Sequence, residues 1–303
     1  MLEKISVLWC KMNQNRLKGM FFAALGVGVI SFDALLVRLA DTDATIISFY
    51  RGLFMGIIML GVLLLRGKKE VIPKDKKSIL GIVLLSLLSG VGTSLFVFSV
   101  KYTIAANTVV LLATSSFFGA IFSYFLLKEK VRKDTLVAIF LSFLGVFIIV
   151  QNSLNLGGNL LGDLFGILLA ISMGLQLTLL RKFPHYSHYF IISLSGFFLM
   201  FLMSFVAKNP FSIPFMSMFW LFLMGLMQVV AMYFIYGATK YISSAEVGIF
   251  STIETTLAPV WLWLFIGEIA PSATIFGGLL VISAIFVNSY SGLKNQKISS
   301  KSE

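Results

Sequence analysis

Apolar runs of about twenty residues alternate along this chain with short polar interruptions. A helix that crosses the hydrocarbon of a bilayer needs about 20 mainly apolar residues. Ten segments meet that requirement, at 18–39, 44–65, 79–100, 104–127, 134–151, 161–180, 188–207, 215–237, 244–266 and 273–291. Several interruptions carry turn chemistry: ADTD at 40–43, GKKEVIPKDKK at 67–77, NLGGN at 155–159, KNPFSIP at 208–214 and GEIAPS at 267–272. The pattern predicts an all-α integral membrane protein of ten transmembrane helices.

Composition strengthens that reading. The 303 residues are 58% hydrophobic and only 12% charged, against about a quarter charged in soluble proteins. The single cysteine, Cys10, excludes an intrachain disulfide. His185 and His188 flank a proline loop and are expected to be solvated at the membrane interface, so a zinc or haem centre is poorly supported. No cofactor and no nucleic acid are expected. Residues 1–17 read as a cytoplasmic arm without a secretory cleavage site, and 292–303 as a cytoplasmic tail. With the N-terminus inside, the inner loops and tails hold 20 of the 24 Lys and Arg. The outer loops hold three, Arg38, Lys101 and Lys208, and Arg51 lies within a span. So one-sided a distribution places both termini in the cytoplasm. The Lys excess over Arg hints at a bacterial source, and so at a bacterial inner (plasma) membrane.

The two halves repeat each other. GMFFAALGVGVISFDALLVR (19–38) aligns with GDLFGILLAISMGLQLTLLR (162–181), KYTIAAN (101–107) with KYISSAE (240–246), and LLKEKVRKDT (126–135) with FIGEIAPSAT (265–274). Five spans per half is an odd number, so the second half must enter the membrane inverted. The domains are then 18–151, a linker at 152–160, and 161–291. Inverted repeats are a hallmark of secondary transporters, with the substrate site near mid-membrane at the repeat interface. FYRGLF (49–54), the DALLVR run at 33–38, and the two segments 101–130 and 240–268, each closing on a glutamate, resemble the EamA repeats of the drug/metabolite transporter superfamily. The resemblance covers about 18–291 and implies ten helices in two inverted five-helix repeats. It also implies a permease for a small metabolite, such as an amino acid or related compound, since the family moves amino acids, other metabolites, cofactors and drugs. The ninth-span proline, Pro259, has Ala120 as its repeat partner. Half one therefore departs from a pattern the family often shows twice, and a symmetric bend in span four is not implied.

Ionisable residues inside a bilayer cost at least about 2.5–3.5 kcal/mol at mid-depth and are normally turned inward and paired. Asp33 and Arg51 lie roughly 9–10 Å from the outer ends of adjacent antiparallel spans, at 1.5 Å per residue. They are expected to pair, either as a structural ion bridge or as a site where Arg51 meets a substrate carboxylate or phosphate. The repeat partner of Asp33 is Gln176. Glu254 lies near the middle of span nine among Thr252, Thr255 and Thr256, with Ser115 as its repeat partner, and is expected to face Ser115 across a shared cavity. It is a candidate proton carrier; the bland alternative is a hydrogen-bonded packing residue. Pro259 is expected to loosen span nine one turn beyond it. Gln228, Tyr233 and Tyr236 either line the cavity or bond between helices. Asn107 and Glu246 are gate candidates or helix-entry residues. GLFMG (52–56) and GDLFG (162–166) predict close helix packing. Trp220, Trp261 and Trp263 read as interface anchors, although Trp261 could cover the cavity. The candidate site is therefore Asp33, Arg51, Ser115, Gln176, Gln228, Tyr233 and Glu254. The expected function is secondary transport by alternating access, with protons as a candidate coupling ion, in a monomer or homodimer. A flippase for a lipid-linked headgroup is the alternative on the same fold. An intramembrane enzyme lacks a nucleophile–base or metal constellation, and no phosphate-binding G-x-x-x-x-G-K-[ST] loop is present.

Overall fold

The structure, a computed structural model, describes the backbone of residues 2–66, 75–128, 133–155, 159–183, 185–238, 240–242 and 244–299. Side chains are described over 16–65, 75–128, 136–152, 159–183, 185–238, 240–242, 250 and 253–287. Among these residues there are twelve helices and no strand. In chain order they are α1 (Leu2–Ile30), α2 (Asp33–Leu39), α3 (Ala44–Arg66), α4 (Lys76–Tyr102), α5 (Ala105–Ala113) and α6 (Ser115–Leu127). Then follow α7 (Lys133–Asn155), α8 (Leu160–Lys182), α9 (His188–Ser204), α10 (Phe215–Ala238), α11 (Ser244–Ile266) and α12 (Ser272–Ser299). Six apolar stretches are long enough to cross a bilayer: 16–39, 44–65, 76–102, 105–127, 160–182 and 215–238. Four shorter apolar helices occupy 136–152, 188–204, 253–266 and 272–287.

The polarity of the bundle is that of a protein solvated by lipid. Leu65, Phe140, Phe147, Phe215, Phe276 and Phe286 all point outward and exposed, while Asp33, Arg51, Asn107, Asp163, Gln176 and Gln228 are buried. In hydrocarbon the exposed face has no reason to be polar, and polar atoms must find partners inside.

Helices pack as α3 on α9, α7 on α12, α5 on α11, α1 on α10 and α4 on α8. Glycines permit the closest of these approaches. A Cβ at Gly196 would lie 2.7 Å from the Gly52 carbonyl oxygen and 2.5 Å from the Gly56 nitrogen. The GLFMG segment is thus a packing surface against α9. A Cβ at Gly145 would lie 2.7 Å from the carbonyl oxygen of Gly277, and the reverse holds at the same distance, which seats α7 on α12. Gly162 and Gly166 of the GDLFG segment likewise admit the Tyr102–Thr103 backbone and Leu111.

Two apolar segments are broken, and neither break is at a proline. The first divides into α1 and α2 at Ser31–Phe32, where the Ser31 hydroxyl donates to the Gly28 carbonyl at 2.7 Å. The fourth divides into α5 and α6 at Thr114, whose hydroxyl donates to the Leu111 carbonyl at 2.6 Å. A hydroxyl that takes a carbonyl from the ladder competes with the helix at that turn. Conversely, α11 continues as one helix through Pro259, and span four is the one divided, at Thr114. α1 also begins at Leu2, so the backbone of the expected N-terminal arm continues the first helix.

The linkers before α3, α5, α8, α10 and α12 meet at one end of the bundle. There Arg38 reaches Thr103 and Glu268, Thr103 reaches Asp163, and the Tyr50 hydroxyl donates to the Pro210 carbonyl. At the opposite end, Gly19 of α1 packs against Tyr241 and Ile242, and Gly81 of α4 against Tyr186.

Candidate functional site

Asp33 is held at the break in the first apolar segment. It opens α2, and the break beside it is pinned from α11 by Trp261, which stacks on Phe32 at 4.6 Å and donates its indole N–H to the Ser31 hydroxyl at 3.1 Å. Trp261 therefore supports the break and is not a free interface anchor; Trp263 is the exposed one.

From α3, Arg51 reaches Asp33. Its Nη2 donates to Asp33 Oδ2 at 2.6 Å and also to Oε1 of Gln228 on α10. The guanidinium is 2% exposed and lies 5.5 Å from the centre of the Phe96 ring. Its Nε and Nη1 are buried and have no hydrogen-bond partner among the described residues. A guanidinium with two buried donors unfilled is only half-satisfied, and such donors are costly unless something accepts from them.

The unfilled donors belong to a residue that lines a cavity between the two halves. First-half residues on its wall include Asp33, Arg51, Ser89, Thr93 and Phe96, and second-half residues include Gln176, Gln228 and Glu254. Leu112, Leu169, Met173, Met232 and Ile235 supply apolar wall. A mostly apolar pocket with a few convergent polar groups is the usual form of a small-molecule site. Gln176 Nε2 donates to the Tyr236 hydroxyl at 2.6 Å, so Tyr236 closes the wall from behind.

Of the seven candidates from the sequence, five share this cavity: Asp33, Arg51, Gln176, Gln228 and Glu254. Two do not. Ser115 opens α6 beside the α5–α6 break, where its carbonyl lies against Gly174 of α8, and it is not among the residues lining the cavity. Tyr233 lines a separate vestibule toward the opposite end of the bundle, together with His188. His188 is accordingly not a solvated interface residue; it packs edge-on against Tyr236. Of the threonines around Glu254, Thr255 is buried and Thr256 exposed, and the Thr252 side chain lies outside the described residues. Glu246 lies outside them too, while Asn107 is buried and accepts from Thr274.

A polar clasp joins the halves at the Arg38 end. Arg38 Nε lies 2.9 Å from Glu268 Oε2, and its Nη2 donates to Glu268 Oε1 at 3.2 Å and to the Thr103 carbonyl at 3.0 Å. Glu268 Oε1 also accepts the Ala105 N–H at 2.9 Å, where α5 begins. Thr103 then donates to Asp163 Oδ1 at 2.7 Å. Every one of the cross-links to Asp163 and Glu268 runs from first half to second. Sequence reasoning used Arg38 only as a topological charge and Glu268 only as a motif end, and it passed over Asp163. The partners are 230 residues apart in one case, and no local spacing reports such a meeting.

Residues 17–151 and 160–290 each match the model of the EamA-like transporter family. The chain belongs to the EamA-like transporter family. It is 29% identical over 220 residues to an uncharacterized transporter of Clostridium kluyveri, covering 69% of this chain and 71% of that protein. It is 25% identical over 285 residues to human Solute carrier family 35 member G1, covering 88% and 77%. The uncharacterized transporter YetK of Bacillus subtilis is 29% identical over 238 residues, covering 73% and 68%. A solved structure described as "Crystal structure of protein" superposes with a TM-score of 0.67 at 12% identity, covering 90% of this chain and 97% of that one, which is a likeness of fold. This EamA-like chain is thus a membrane transporter, and the shared cavity is its candidate substrate site.

Proposed function

We propose that this EamA-like protein is a secondary transporter that carries a small polar or amphipathic metabolite across the plasma membrane by alternating access. The observation that carries the reading is the cavity itself: one mostly apolar site with convergent polar groups from both halves, beside the break between α1 and α2. Ten membrane crossings in two inverted halves fit the packing. Exchanging the halves maps α3–α9, α5–α11 and α7–α12 onto themselves, and exchanges the α1–α10 contact with the α4–α8 contact. That is the pattern a two-fold axis in the membrane plane would produce, and such an axis passes through the substrate site of many transporters.

In this reading both termini are cytoplasmic, which the Lys and Arg distribution supports, and the Arg38 end faces outward. The conformation is then closed outside by the clasp. Substrate would seat against Arg51, Gln228 and Gln176, with Glu254 as the proton carrier that couples movement to the gradient. Glu254 lines the cavity without an ion pair among the described residues, whereas Asp33 is committed to Arg51. The test is metabolite profiling of cells and medium with and without the protein, followed by transport of the hits into proteoliposomes. Hits that accumulate only with the protein present support the reading, and an unchanged profile in both compartments would remove it.

A further inference from the structure

The vestibule holding Tyr233 has a chemistry of its own. It lies between α1, α9, α10 and the linker after α10. Phe22, Tyr189, Tyr233 and Tyr241 line it with rings, and His188 and Lys240 supply the nitrogen groups. Lys18 stands at its edge, with Nζ 5.6 Å from the Phe22 ring centre and 5.3 Å from that of Tyr241. No carboxylate lines it among the described residues, and Lys240 has no ion pair there. The vestibule is connected to the central cavity by a short relay of side chains: His188 packs on Tyr236, and Tyr236 accepts from Gln176, which lines the cavity.

We propose that this vestibule is a second binding site, in series with the central cavity, for an oxyanion carried on a flat or apolar body. The inference rests on the transport reading above and gives its cargo a charge. Rings offer faces for a flat apolar body, and the lysine offers a point charge for a carboxylate or phosphate. The central cavity has the same need, since Arg51 keeps two buried donors without an acceptor. A ligand with an oxyanion would satisfy Lys240 at the first station and Arg51 at the second. A cation would meet Lys240 and Lys18 at the vestibule and be repelled. Carboxylate, free phosphate ester and lipid headgroup phosphate share this chemistry.

The test titrates purified full-length protein, in nanodiscs of zwitterionic lipid, with benzoate, phenyl phosphate, benzylammonium and benzyl alcohol by calorimetry. Benzoate or phenyl phosphate should bind with two sites per chain, and the other two probes should bind neither site measurably. Lys240→Gln should weaken one site about tenfold, the worth of one charge-assisted hydrogen bond. Tyr233→Ala should weaken the same site, and Gln228→Leu should spare it. Equal binding of benzylammonium and benzoate would overturn the inference, as would parent-like titrations of both Lys240→Gln and Tyr233→Ala. Repeating the titration in anionic lipid identifies the source: loss of the vestibule site there assigns it to a lipid headgroup, and retention assigns it to a soluble oxyanion. Reconstituted transport separates the two readings. Uptake of benzylammonium without oxyanion binding would sink this inference alone, whereas no transported hit of any charge would sink the transport reading beneath it.

Discussion

Neutralising either member of the Asp33–Arg51 pair should destabilise the protein more than any other single change in the cavity. Arg51 is 2% exposed, Asp33 is its sole ion-pair partner among the described residues, and both acceptors of the guanidinium bond the same nitrogen, Nη2. Asp33→Ala leaves a buried guanidinium with one neutral acceptor, Gln228, and four unpaired N–H groups. Breaking a buried pair by removing one partner costs about 3–5 kcal/mol. Arg51→Met leaves a lone buried carboxylate and should cost a similar amount. Independent sites would then sum to roughly 6–10 kcal/mol in the double variant. Because replacing a whole buried pair by apolar groups is often near neutral, the double variant should instead return close to the parent. Gln228→Leu removes one charge-assisted bond and should cost about 1.5–3 kcal/mol. The assay is monodisperse yield after graded heating in detergent, for parent, singles and double. Losses that simply add in the double variant would refute the coupling inferred from the contact. A double variant that is stable but inactive would assign the pair to substrate handling as well as to packing.

Further outcomes follow from other parts of the fold. Gly196→Val should lower heat resistance by about 1–3 kcal/mol, the cost of overpacking, because its Cβ meets the α3 backbone; Gly61→Ala, whose Cβ meets nothing within 4 Å, should be neutral or slightly stabilising. Asp75 caps α4 by accepting from the Ser78 N–H at 2.8 Å, and that bond holds its carboxyl below the usual carboxylate range. A lowered folded value stabilises above the unfolded value and is lost as pH falls through the lowered one. Asp75→Ala should therefore speed amide exchange at the start of α4 at neutral pH, with the difference from the parent fading in acid; a difference that grows in acid would contradict the cap. Glu254→Gln keeps shape and hydrogen bonding but cannot exchange a proton, so it should retain solute exchange and lose gradient-driven accumulation. Unchanged pH-dependent accumulation would reduce Glu254 to a packing residue.

The cavity was legible in the sequence where one residue announced its own cost. Asp33, Arg51 and Glu254 are ionisable groups in apolar segments, and depth alone brought Asp33 to Arg51. Gln228 was found as an amide within an apolar segment, and Gln176 through the repeat, as the partner of Asp33. What escaped depended on tertiary meeting. The fourth segment divides at Thr114, where no proline signals it, while Pro259 lies inside an unbroken helix. Ser115 matched Glu254 in repeat register, but register fixes depth and not the direction a side chain faces. The clasp of Arg38, Thr103, Asp163 and Glu268 joins residues from four linker regions, and each alone looks like an ordinary helix end.

Alternating access is tested most directly by asking from which side the cavity can be reached. Thr93 lines the cavity, and Cys10 is the chain's single cysteine. With Cys10 replaced by Ser, Thr93→Cys in sealed, oriented vesicles is treated with a membrane-impermeant thiol reagent on each side. In the parent background, closed by the clasp, the account predicts labelling mainly from the cytoplasmic side. Adding Glu268→Gln, which removes the charge that holds Arg38, should raise labelling from the outside several-fold and lower it from the inside. Labelling that responds to neither the side nor the loss of the clasp would contradict alternating access through this cavity.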